Sequence, residues 1–123
     1  MNEITRKDLF TCYQNVQTLT HQVTELGQHV TINCDLDEVD EVYWLLLNLP
    51  NPPVTILRTF LTSQTPFYYD MKFRDKYSLQ SKHLIINSVT KDELGVYFCM
   101  NTGIFPIFSD GIRLHVIGGD TEQ

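Results

Sequence analysis

No Asn-x-Ser/Thr sequon occurs in the 123 residues, so N-linked sugar is expected to shield no face of the protein. No stretch approaches the roughly 18 consecutive apolar residues of a membrane span, and Met1 to Asp8 has none of the apolar core of a secretory leader. The chain therefore reads as an excised ectodomain with an added start methionine, its membrane anchor expected outside this piece. No glycine-rich phosphate loop is present. The four histidines, His21, His29, His83 and His115, fall on separate predicted strands with no metal-ligand spacing and no companion nucleophile. An enzyme, a metal centre and a cofactor are all unexpected on these grounds. A net charge of −6 argues against nucleic acid or an anionic membrane as partner and suits a neutral or basic protein surface.

What the chain does have is short apolar alternation broken by turn residues, with no helical period sustained over ten residues. One all-β domain with a two-sheet core follows, since the length suffices for one such core and not for two. Strands are expected around Asn15 to Leu26, Gln28 to Cys34, Glu41 to Leu47, Val54 to Thr59, Lys76 to Gln80, Lys82 to Ser88, Gly95 to Asn101 and Gly111 to Ile117. Gly27 should bend the first strand into the second. The segment Asn48 to Pro53 carries three prolines that donate no ladder hydrogen bond, so it should be a turn.

Cys34 and Cys99 bracket the only tryptophan, Trp44, and Cys99 closes the run Glu93-Leu94-Gly95-Val96-Tyr97-Phe98-Cys99. Three rare residue types at these offsets resemble the signature of variable-type immunoglobulin domains. The resemblance implies a two-sheet β-sandwich with Greek-key connections over residues 20–117. Residues 1–19 would be an N-terminal extension or the start of strand A, and 118–123 the start of a linker or stalk. It implies a Cys34–Cys99 disulfide packed on Trp44, which on a chain-entropy argument contributes about 4 kcal/mol and places the domain in an oxidising, extracellular compartment. It also implies a corner hydrogen bond from Tyr97, Gly95 at the strand entry, and a Glu93–Lys76 pair at the exposed base of the sandwich, worth under ~1 kcal/mol. The 41 residues from Asn48 to Ser88 leave room for the two extra strands of the variable type.

Phe108-Ser109-Asp110-Gly111-Ile112-Arg113-Leu114-His115-Val116 resembles the joining segment Phe-Gly-x-Gly-Thr-x-Leu-x-Val of antigen-receptor variable domains, with Ser109 and Ile112 departing from it. A bulge in the last strand is therefore expected. Among leukocyte receptors the chain is most similar to the novel immune-type receptors of bony fish, which implies a natural-killer-type receptor on the plasma membrane that binds a protein on other cells. Joining-like coreceptors and T-cell-receptor-like chains share these motifs, so a dimeric coreceptor or adhesion domain is the alternative, and a soluble decoy a third. A transmembrane segment with a signalling motif, or a stalk with paired cysteines, would tell them apart.

With Trp44, Tyr97 and Cys99 facing the core, a period of two sends Tyr43, Leu45, Leu47, Phe98 and Met100 to the other face of that sheet. In paired variable domains the places held here by Leu45, Leu47, Pro53, Phe98 and Phe108 build the domain–domain contact. An apolar outer face follows. It either stays covered in a monomer or drives a homodimer or variable–variable pairing. Three loops complete the surface. Residues 35–41 carry five carboxylates, including Asp37 and Glu38, with no ordered calcium-loop spacing, and read as a solvated rim that steers a basic partner. The stretch Phe60 to Tyr69 holds Phe60, Phe67, Tyr68 and Tyr69, rigid aromatic area for a ligand contact, of which some are expected to pack on the neighbouring strand instead. The loop Asn101 to Ile107 is short, apolar and stiffened by Pro106; Ile104 and Phe105 either anchor a ligand or pack on the sheet edge. Cys12 is left over, as a free thiol, an intermolecular disulfide or half of a bond to a missing part.

Overall fold

A computed structural model describes residues 19–36, 41–60, 63–101 and 105–117. Ten strands are present among them. They are β1 (Leu19–Thr24), β2 (Val30–Ile32), β3 (Tyr43–Leu47), β4 (Val54–Phe60), β5 (Ser63–Tyr68), β6 (Tyr77–Gln80), β7 (His83–Ile86), β8 (Gly95–Asn101), β9 (Ile107–Phe108) and β10 (Gly111–Val116). The larger sheet runs β1-β10-β8-β3-β4-β5, with β9 also on β8, and the smaller runs β2-β7-β6. Neighbours pair antiparallel except β1, which lies parallel to β10, Leu19 opposite Gly111. The all-β sandwich expected from the sequence is the fold, and β4 and β5 are the two extra strands for which the long middle segment left room. Most strands are shorter at their ends than the sequence pattern suggested, while β4 runs one residue further, to Phe60.

The core lies between the sheets. Val42, Trp44, Leu46, Ile56, Leu57, Tyr97, Cys99 and Leu114 from the larger sheet close on Val30, Ile32, Tyr77, Leu84 and Ile86 from the smaller. Cys34 and Cys99 are bonded across it, with Cα atoms 5.8 Å apart. Trp44 is fully buried, and its indole N–H donates to the Lys82 carbonyl at 3.0 Å, which satisfies the one polar atom that so large a side chain brings inside.

The expected punctuation has physical causes. Gly27 takes φ +92° in the turn between β1 and β2. Gly95 takes φ +149° and a Cβ there would sit 2.9 Å from the Leu47 carbonyl oxygen, so no side chain fits where β8 meets β3. Ahead of it, Thr90 and Glu93 form a reciprocal capping box on the short 3-10 turn Lys91–Glu93. The Tyr97 hydroxyl donates to the Glu93 carbonyl at 2.6 Å, the corner bond that the sequence called for. Lys76 Nζ lies 3.6 Å from Glu93 Oε1, so the expected pair exists. Glu93 is buried by its capping role, however, where an exposed pair was expected.

The last strand carries the expected bulge. Phe108 pairs with Met100, whereas Ile112 pairs with Tyr97, so the register steps by one residue between β9 and β10. Ser109 sits in that step and is buried. Its backbone N–H donates to the Cys99 carbonyl at 2.9 Å and its hydroxyl accepts the Cys99 N–H at 3.0 Å. A serine in a place where the joining pattern has glycine is thus tied directly to the disulfide strand.

Candidate recognition surface

The alternation of β3 and β8 places two side-chain sets on opposite faces of the larger sheet, as their parity demands. On the outer face one transverse row runs Phe67, Arg58, Tyr43, Met100, Phe108 across β5, β4, β3, β8 and β9. Tyr43, Leu45, Leu47, Val96, Phe98 and Met100 form a second apolar cluster there, with Leu19 and Phe108 packed against it. The cluster holds the expected Tyr43, Leu45, Leu47, Phe98, Met100 and Phe108, adds Val96 and Leu19, and does not include Pro53.

Its state decides between the two expectations. Tyr43, Leu45, Leu47 and Phe98 are 2%, 1%, 6% and 4% exposed, as buried as the inter-sheet core, and Phe108 and Pro53 are half-buried. Of the two states left open for this face, the single chain shows the covered one, and the bare pairing patch is absent among the described residues. Leu19 shows part of how: its Cδ2 lies 2.7 Å from where a Gly111 Cβ would stand, in line with Val96 and Phe98, so the start of β1 reaches onto this face only because residue 111 has no side chain.

Arg58 was not singled out by sequence reasoning. It lies on the outer face of β4 and is buried, with Nη2 2.9 Å from Glu41 Oε1. Its guanidinium stacks 4.7 Å from the Tyr43 ring centre and 4.3 Å from that of Phe60. A buried cation is tolerable only when paired, and here a carboxylate and two ring faces replace its water. The signal in the sequence was a lone arginine in an otherwise apolar and threonine-rich strand.

The aromatic stretch splits by parity. Phe67 and Tyr69 project outward, 50% and 40% exposed, with rings meeting edge to face at 5.1 Å. Tyr68 points inward: it packs on the core and its hydroxyl donates to the Tyr77 carbonyl at 2.7 Å. It belongs to the scaffold, which corrects its placement among the ligand-binding loops. Phe67 and Tyr68 are strand residues of β5, because the loop expected after β4 is mostly strand. Burial pushes the Tyr68 hydroxyl above its ordinary pKa and so holds its proton on, against a smaller opposing pull from Arg74. Tyr77 and Tyr97 are shifted up more strongly, chiefly by burial, and their hydroxyls meet at 2.9 Å beneath the strand.

At the β8–β9 end, Phe105 is 78% exposed and Ile107 55%, with Pro106 exposed between them. No other large apolar side chain among the described residues is as bare as Phe105. Ile104, Asp37, Glu38 and Cys12 lie outside the described residues. No group of three or more His, Cys, Asp or Glu among the described residues is placed to hold a metal ion. No helix among them is long and apolar enough to cross a membrane.

Comparison with known proteins agrees with this architecture. Among solved structures, a marsupial T cell receptor superposes with a TM-score of 0.71 at 17% identity, over 85% of this chain and 53% of that one. The chain thus spans about half the length of that receptor chain, and the likeness is one of fold. No curated protein matches. The family model described as the immunoglobulin V-set domain matches residues 17–117, the whole span from the start of β1 to the end of β10, and the chain belongs to the immunoglobulin V-set domain family.

Proposed function

We propose that this V-set domain is the ligand-recognition domain of a cell-surface immune receptor of the natural-killer type, similar to the novel immune-type receptors, and that it binds a protein on another cell through its β8–β9 end. The observation that carries the reading is the bare Phe105–Ile107 tip on a hairpin whose base is fixed by the Ser109–Cys99 hydrogen bonds. A large apolar side chain held out on a rigid base ought to be covered by a partner: burying one contributes about 2–3 kcal/mol and loses little conformational entropy. Phe67, on the outer face of β5, and Tyr69, just past its end, extend the contact. The acidic 35–41 loop sets the rate of encounter more than the affinity, since rim charges act mainly on association. The pairing alternative, a dimeric coreceptor or adhesion domain, would need an outer face that is already buried in one chain.

Staining a panel of cells with the fluorescent multimerised domain tests this. Phe105→Ala should abolish the staining of cells that bind the parent, and in binding kinetics raise the dissociation rate, by about 2 kcal/mol in affinity. Asp37→Asn with Glu38→Gln should mainly slow association. Equal binding by parent and Phe105→Ala would overturn the loop-end reading and move the site to the β4–β5 edge of the sheet.

A further inference from the structure

Two of the four histidines are occupied by the backbone. His29 Nδ1 accepts the Ser88 N–H at 3.1 Å, and His83 Nδ1 accepts the Cys34 N–H at 3.1 Å. The other two meet each other. The sequence puts His21 and His115 far apart on separate strands, but β1 and β10 are neighbours, with His21 opposite Arg113 and Val23 opposite His115. Leu19 packs on the outer face and Leu114 on the inner core, so the two-residue period places His21 and His115 together on the outer face. Their ring centres are 5.3 Å apart. His115 Nε2 is buried and, among the described residues, is the one buried side-chain nitrogen or oxygen with no hydrogen-bond partner.

These facts fit a shared ligand. Two imidazoles bound at about 2.0–2.1 Å to one tetrahedral ion, each nitrogen roughly 1.15 Å from its ring centre, hold their ring centres about 5.1–5.3 Å apart. An edge-to-face aromatic pair spans the same distance, so the separation alone decides nothing. The buried Nε2 is the second observation: an aromatic contact leaves that polar atom without a partner, whereas a metal ion would supply one. We propose that His21 and His115 form a two-imidazole site for a divalent transition metal of the zinc class, which clamps the edge strand β1 to β10. Imidazole suits zinc, copper and nickel, and water completes the coordination, since the described residues offer no third ligand. Arg113 shares the outer face with both rings and opposes the bound charge, which gives the site a sign that a nonspecific surface histidine lacks.

Isothermal titration of the full chain with zinc chloride, beside His21→Gln, His115→Gln, Arg113→Gln and Cys12→Ser, tests the site. The expected result is one ion per chain. Either histidine substitution should weaken binding at least tenfold, Arg113→Gln should tighten it severalfold, and Cys12→Ser should leave it unchanged. Zinc should also raise the melting temperature of the parent and leave that of His21→Gln, altered only at an exposed side chain, where it was. Absence of binding at millimolar zinc, binding that survives both histidine substitutions, or loss of binding in Cys12→Ser would overturn the proposal.

Discussion

The two faces of the larger sheet are built from the same strands and are equally apolar at their centre, yet they differ in what closes them. The inner face is sealed by a second sheet, a disulfide and hydrogen bonds that leave Trp44 and Tyr97 no unsatisfied polar atom. The outer face is sealed over β8 and β3, where Leu45 and Phe98 are buried, and opens toward β5, where Phe67 and Tyr69 are bare. Side-chain period decides which face a residue belongs to, but closure is a property of the whole chain. The same apolar residue is therefore core at one end of a row and surface at the other.

The largest expected effects come from the inner face. Trp44→Ala should cost about 3–5 kcal/mol, through the cavity and the abandoned Lys82 carbonyl, read as a lowered urea midpoint. Leu45→Ala sharpens the comparison. If the outer face is as closed as its burial says, the substitution should cost about 2–4 kcal/mol, as in a core, while a cost within about 0.5 kcal/mol would mark the face as open.

Alkali separates the faces by another route. Tyr77 and Tyr97 lie on the inner side, and burial keeps their hydroxyls protonated above the ordinary value of 10.0. Above that pH the unfolded chain releases these protons and the folded chain holds them, so stability should fall by about 1.4 kcal/mol per pH unit for each tyrosine. Urea midpoints between pH 9 and roughly 11.5 read this slope. Tyr77→Phe should lower the slope by about one tyrosine's share, and an unchanged slope would remove Tyr77 as a source. The smallest effect belongs to the tip: Phe105→Ala should shift stability by less than about 0.5 kcal/mol, since the side chain it removes is already in water.

The inner face was legible in the sequence because its parts are rare residues with fixed offsets. Cys34, Trp44, Gly95, Tyr97 and Cys99 each meet a demand that few residue types meet. Glu93–Lys76 and the bulge after Phe108 were legible for the same reason, although Ser109 had to be seen in place before its hydroxyl could be matched to the Cys99 N–H. The outer face was legible in composition alone. Whether Leu45 is covered depends on contacts far along the chain, and so does the meeting of His21 with His115, since parallel pairing of β1 with β10 leaves no local pattern. Arg58 was passed over because a single arginine in a strand looks solvated until Glu41, Tyr43 and Phe60 are seen around it. Tyr68 was misplaced because an aromatic run reads as loop when no polar residue alternates with it.

Whether the outer face is free to pair divides recognition by the β8–β9 end from assembly through the sheet, and the mass of the domain in solution tests this most directly. Sedimentation equilibrium at high micromolar concentration should show a monomer whose mass Leu47→Gln does not change. A dimer in the parent that Leu47→Gln dissolves would contradict the closed face and return the sheet to the role of partner surface.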